Sequence, residues 1–520
     1  MRDTVQGGTF FLITGAVCIP GMKPMDHKCS VVFAAAVLVL AALCGGVVFG
    51  EDAKEAAKPD EPPIVLPAPS PVKNENLFGG RIQRTMTLLA TSGPLRRFPV
   101  KIIFYGQSIV NGRWTKAVED DLRRRFPEAD LTIENRAIGG FGADALIRTA
   151  AHDIYPAYPD LVVYLVYGGE QSGALEAFVA NLRRYTTSEI MLLTHHVRGG
   201  DYSDSASAAY WRYLAQKYDC ELVDLHGESR QFMAEHAIRP EQLLGGDKIH
   251  PNEEGSRPIA WTVLRHFRLN TLMPGGWYDR VRTYQVRRSY DDSAADDITF
   301  AGEPWEIQGS NAIGHSPDNP MRLTFNGNRV DILAGASPAR KLGTARILID
   351  GQPPSADPRL YAATRPSPEP KMWFPGVRRI EWQSPPIIED WTLRITAASD
   401  DCKSLEYEVI GSITGHDGNG NNCEKFVSNS GRVVIAPRDF AFADAFYWSK
   451  VAPPVGYEVT WKVVPLFSDS YEPSGGDSSR PYRLTAAQNL RNGRHTIEII
   501  PNGDGPVPVQ AIEVYRPPLR

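Results

Sequence analysis

The chain has 520 residues, 42% hydrophobic and 22% charged, a balance that argues against a disordered or fibrous polypeptide and, at about 100–200 residues per domain, predicts two or three domains. Its formal net charge of −5 gives no electrostatic case for a nucleic-acid partner, which needs a clustered basic face.

Met25-Asp26-His27-Lys28, followed by the apolar residues 29–49, has the form of a secretory signal, and Val48 and Gly50 fit the small-residue rule for cleavage after Gly50. Residues 1–50 therefore read as a signal peptide or, because residues 31–49 have about the apolar length of a spanning helix, as an uncleaved membrane anchor. Either reading places the protein outside the cytoplasm, periplasmic or secreted, with membrane contact only through this segment. Residues 51–76 are rich in Lys, Glu, Ala and Pro and are expected to be a linker that buries too little apolar surface to order itself.

From about residue 98 a regular alternation begins. Strand patterns at 100–105, 131–133, 161–167, 190–194 and 221–225 are interleaved with helical patterns at 114–126, 145–151, 175–185, 206–218 and 258–267. Strands that are apolar throughout and alternate with helices predict a flavodoxin-type parallel sheet with helices on both faces, over residues 77–270. In such a sheet ligands bind beyond the carboxyl ends of the strands, so the loops after Tyr105, Ile133, Tyr167 and Thr194 are expected to share one rim. Past residue 271 the helical period vanishes, and short alternating runs bounded by Gly, Pro and Asn predict an all-β sandwich over 271–520. Within it, residues 405–475 are expected to be an insertion, with 411–422 a long loop.

Beyond the signal only Cys220, Cys402 and Cys423 remain, so at most one bridge forms. Cys402 and Cys423 flank a Gly/Asn-rich stretch and are the candidate pair; Cys220 opens an apolar strand and is expected to be a buried thiol.

The chemistry concentrates in two short stretches. Ser108, in Tyr105-Gly106-Gln107-Ser108-Ile109-Val110-Asn111-Gly112, stands where the first strand gives way to a helix, and Asp247-Lys248-Ile249-His250-Pro251-Asn252 follows much later. A serine hydroxyl attacks an acyl carbon poorly until an imidazole takes its proton and a carboxylate fixes the imidazole tautomer, so Ser108, His250 and Asp247 are the candidate nucleophile, base and orienter. These stretches, with Asn135-Arg136-Ala137-Ile138-Gly139-Gly140, resemble three sequence blocks of the SGNH (GDSL-type) hydrolases. The resemblance covers about residues 98–270 and implies a serine esterase whose oxyanion is held by the backbone N–H groups of Ser108 and Gly140. Gln107 stands where that family usually has Asp. The remaining block departs further: Tyr167-Gly168-Gly169-Glu170-Gln171 has no Asn where the family places an oxyanion donor, and an ionised Glu170 aimed at an oxyanion would repel it. Glu170 is thus expected to be turned away or protonated, or else another donor replaces the Asn, the candidates at the rim being Gln171, Arg136, His195 and His196. The adjacent histidines lack a partnered acidic cluster, so neither a metal nor an organic cofactor is expected. The β-rich part loosely resembles the galactose-binding-like sandwiches appended to carbohydrate esterases. Together these resemblances imply removal of acetyl or similar small acyl groups from a polysaccharide or other acylated glycan. The alternatives are acyl transfer to a sugar hydroxyl by the same residues, or a non-catalytic glycan-binding surface protein with a decayed hydrolase domain.

Overall fold

The computed structural model describes residues 66–519 apart from 68–69, 200–204, 271–279, 287–296, 338, 340, 368–373, 475–476 and 478. The signal or anchor and most of the linker lie outside the described residues. No helix among the described residues is long and apolar enough to cross a membrane.

Five strands, β1 (Pro99–Gly106), β2 (Asp130–Asn135), β3 (Leu161–Leu165), β4 (Glu189–Leu193) and β5 (Glu221–Val223), form a parallel sheet in the order β2-β1-β3-β4-β5. This is the flavodoxin-type doubly wound order, which places the topological switch at β1. Helices α1 (Gln83–Thr91), α2 (Arg113–Arg125), α3 (Ala143–Asp153), α4 (Ala174–Tyr185), α5 (Ser205–Lys217), α6 (Leu225–Glu235) and α7 (Glu253–His266) surround it. Met86, Trp114, Val118, Leu122 and Val263 of α1, α2 and α7 bury one face. Leu146, Phe178, Leu182 and Trp211 of α3, α4 and α5 bury the other. With both faces covered, every residue of β3 and β4 is buried, which is why those strands read as apolar runs apart from Glu189 at the start of β4.

The region after α7 is built mainly of antiparallel sheets, but it is not all-β, since Phe442–Ser449 forms a helix whose Phe442 and Ala445 are buried. A seven-stranded sheet is centred on two long paired strands, Met321–Ala334 and Tyr482–Pro501. A five-stranded sheet contains Tyr361–Ala363, Glu458–Pro465, Asp390–Ala398, Leu405–Gly411 and Gly415–Asn421. Trp391, Leu393, Val459 and Trp461 of the latter belong to the same apolar core as α3, α4 and α5, so residues Pro67–Arg520 form one compact unit. Polar links reinforce that seam. Arg148 of α3 makes a two-pronged ion pair with the buried carboxylate of Asp439, at 2.6 and 2.5 Å. Arg365 does the same to Asp153, at 2.8 Å twice, and His152 bridges from α3 to the Ala363 carbonyl (2.9 Å) and the Ile380 N–H (3.1 Å).

Three further expectations need correction. Residues 411–422 are not a loop: Gly415–Asn421 is a strand paired with Leu405–Gly411. Its poor strand composition is overridden because the buried Asp417 carboxylate accepts from the backbone and hydroxyl of Ser430, at 2.8 and 2.6 Å. Cys402 is a buried free thiol, so the Cys402–Cys423 bridge does not form. The end of the linker is ordered, since Ser70, Glu75 and Asn76 offer carbonyls to Arg265, Arg268 and Asn270 just inside and after α7.

Candidate active site

The site is built where β1 ends. Gly106 has φ +150° and lies so close to β3 that a Cβ there would sit 1.9 Å from the Leu165 carbonyl oxygen; only glycine lets the strand turn out of the sheet here. Ser108 follows as the first residue of the 3₁₀ turn Ser108–Asn111. Two amide side chains brace that turn. Gln107 Oε1 accepts the Tyr167 N–H (3.2 Å), and Asn135 donates to the Val110 carbonyl (2.8 Å), so the loops after β1, β2 and β3 are tied together.

The segment before α7 brings in the other two residues. Asn252 caps that helix, its side chain accepting from Gly255 N at 2.8 Å while donating to the carbonyls of Gln242 and Leu244. His250 therefore sits in a turn fixed from both sides. Its Nδ1–H donates to Asp247 Oδ2 at 2.5 Å, and its Nε2 lies 2.7 Å from Ser108 Oγ. Because a carboxylate only accepts, the proton belongs on Nδ1, leaving Nε2 to accept the Ser108 hydroxyl. Asp247 Oδ1 accepts the backbone N–H groups of Ile249 (2.9 Å) and His250 (3.0 Å). Partial burial works against ionisation of this carboxyl, but the His250 bond and the two N–H donors outweigh it and hold it below the usual range.

One residue below, the loop after β4 supports the histidine. His196 Nε2–H donates to the Ile249 carbonyl at 2.7 Å, and its Nδ1 accepts the Tyr167 hydroxyl at 2.8 Å. The Tyr167–His196 pair thus pins the peptide that carries His250.

Gly140 lies in the exposed turn after β2 with φ +79°, a conformation that a side chain would strain. That turn is anchored by the Ile138 N–H donating to the Gly106 carbonyl at 2.9 Å, two residues before Ser108. Glu170 is turned toward His195: its Oε1 is buried, 3.5 Å from Nε2 of His195, which donates to the Val166 carbonyl at 2.8 Å. Arg136 is held by Glu134 and by the Asp153 carbonyl. Gln171 is exposed. Of the rim candidates, then, Arg136, His195 and His196 are engaged by other groups.

No protein-family model matches the chain, and no curated protein does. Solved structures do. A two-domain esterase active on acetylated mannans, co-crystallised with mannopentaose, covers 86% of this chain and 99% of its own at 12% identity and TM-score 0.33. An acetyl xylan esterase aligns at 22% identity over 32% of this chain and 98% of its own, with TM-score 0.28. A catalytic variant of an acetylxylan esterase from Geobacillus stearothermophilus aligns at 17% identity over 32% and 94%, with TM-score 0.29.

The contacts that sequence reasoning missed are supporting ones: Gln107 as a brace, Asn135, Tyr167 and the clamp role of His196. Each joins loops that are far apart in the chain, and only the presence of polar residues directly after apolar strands hinted at them.

Proposed function

We propose that the protein is an exported serine esterase of SGNH type that removes acetyl or similar small acyl groups from a polysaccharide. The observation that carries this reading is the hydrogen-bonded line Ser108–His250–Asp247 at the carboxyl rim of the sheet. The His250 and Asp247 side chains are 40% and 47% exposed, so the line opens on the surface, where a polymer can reach it.

Ser108 Oγ attacks the acyl carbon while its proton passes to His250 Nε2, and the imidazolium is held by Asp247. The tetrahedral oxyanion is received by the N–H groups of Ser108 and Gly140. Collapse expels the sugar oxygen, which takes the proton back from His250 and leaves acyl-Ser108. Water then attacks with His250 again as base, and the second collapse releases the carboxylic acid and restores Ser108. The balance is ester plus water to alcohol plus acid, with no cofactor required. Glu170, turned toward His195, leaves the oxyanion unopposed, so two backbone donors carry the load that the family shares with an Asn.

The test is p-nitrophenyl acetate hydrolysis by the wild-type chain and by Ser108→Ala, followed by acetate release from acetylated xylan and mannan. Loss of turnover in Ser108→Ala alone supports the reading; equal rates in both proteins end it.

A further inference from the structure

A sizeable cavity lies away from Ser108. It is a cleft of about 920 Å³ between α3, α4 and the antiparallel layer, and none of Ser108, Asp247, His250, Gly140 or Glu170 lines it. Its volume is in the range of small-molecule sites. Four aromatic side chains, Tyr155, Tyr185, Tyr361 and Trp382, contribute to its walls, together with the amides of Asn181 and Gln383. Tyr155 and Tyr185 have ring centroids 5.1 Å apart at 56°, so the cleft offers ring faces in more than one orientation.

From these features we propose that the cleft is a second, non-catalytic site for an uncharged oligosaccharide. A pyranose presents an apolar C–H face that packs on aromatic rings and a rim of hydroxyls that need amides and hydroxyls as partners. The walls supply both. Charge selects against an anion despite the basic residues present. Arg148 is neutralised by Asp439, Arg359 by Asp357 and Arg379 by Glu381, leaving Lys425 as the lining cation with no ion pair among the described residues. A fatty chain is disfavoured by the same guanidinium and amide groups, which it would strip of water without replacing their hydrogen bonds. The inference stands apart from the esterase reading, because it concerns binding and not turnover.

It is tested on the full chain carrying Ser108→Ala, with xylohexaose, mannohexaose and hexagalacturonate as probes in titration calorimetry and amide hydrogen exchange. A neutral hexaose is expected to bind, to slow exchange over residues 147–156 and 379–385, and to bind about tenfold or more weakly after Trp382→Ala. Tyr185→Ala, which removes an exposed ring from the wall, is expected to weaken binding as well. In the chain with Ser108 intact, Trp382→Ala is expected to hydrolyse p-nitrophenyl acetate at the parental rate. The inference is overturned if neither neutral hexaose binds, if hexagalacturonate alone binds, or if affinity is unchanged in both Trp382→Ala and Tyr185→Ala. Loss of esterase activity in Ser108→Ala bears on the other reading alone.

Discussion

His152 makes the seam between the helices and the antiparallel layer sensitive to acid. The ring is 7% exposed, its Nδ1–H donates to the Ala363 carbonyl, and its Nε2 accepts the Ile380 N–H. A second ring proton would point at that N–H, and burial beside Arg379, Arg365 and Arg148 penalises the positive charge further. Burial first, then these arginines, lower its pKa from 6.5 to about 4. The sign follows from linkage: the folded state binds the proton less readily than the unfolded one. The stabilisation is complete above the unfolded value, declines as pH falls below 6.5, and is exhausted once pH passes about 4. At 1.36 kcal/mol per pH unit the whole span is worth about 3 kcal/mol, of which about 2 kcal/mol is lost by pH 5. Urea unfolding of wild type, His152→Asn and His152→Gln at pH 7.5 and pH 5 measures this. Both variants are destabilised at pH 7.5 by the loss of a bond, yet each should lose about 2 kcal/mol less than wild type on acidification. Identical pH slopes in wild type and both variants, or a His152 ring resonance that titrates near 6.5 in the folded protein, would refute the reasoning.

Asp247→Asn should preserve the fold and cut p-nitrophenyl acetate kcat by about 10³–10⁴, because an amide can stabilise the wrong imidazole tautomer; a decrease below tenfold contradicts the assigned role. Glu170→Gln should leave kcat within about threefold, since the carboxylate faces His195; a gain of a hundredfold would mean that it opposes the oxyanion after all. Arg148→Ala strands the Asp439 carboxylate, which is 1% exposed, and should cost about 3 kcal/mol or more in denaturant unfolding, with an unchanged midpoint counting against a buried pair.

The α/β layer was legible because its strands are buried on both faces and its helices carry apolar stripes. What misled was local. Residues 221–225 read as one strand, but Asp224 accepts from Gly227 N at 3.2 Å and starts α6 at Leu225, a helix not anticipated. The helical pattern at 258–267 is too short, whereas the stretch His250-Pro-Asn-Glu-Glu-Gly, which also has the form of a helix start, marks the true beginning: the Asn252 cap starts α7 at Glu253 and leaves Pro258 inside it. Helix α1 is hard to read because its buried face includes Gln83, Arg84 and Thr85: the Gln83 amide donates to the Gly79 and Arg268 carbonyls, the Arg84 guanidinium pairs with Asp160, and Glu189 accepts the backbone N–H groups of Arg84 and Thr85. At the site, the motifs located Ser108, His250 and Asp247, and the structure brings them into one line. The orientation of Glu170 and the Tyr167–His196 clamp were not legible, because each depends on how loops from separate strands meet.

The shared core also sets an order of events during synthesis. Helices α3 and α4 leave the ribosome with one flank bare, and Trp391, which helps to bury it, emerges about two hundred residues later, roughly 10–40 s at ordinary elongation rates. For that interval Phe178, Leu182 and their neighbours have only their own sheet to pack against. The α/β layer, though it comes first in the chain, thus completes its fold late, once the antiparallel layer is in place.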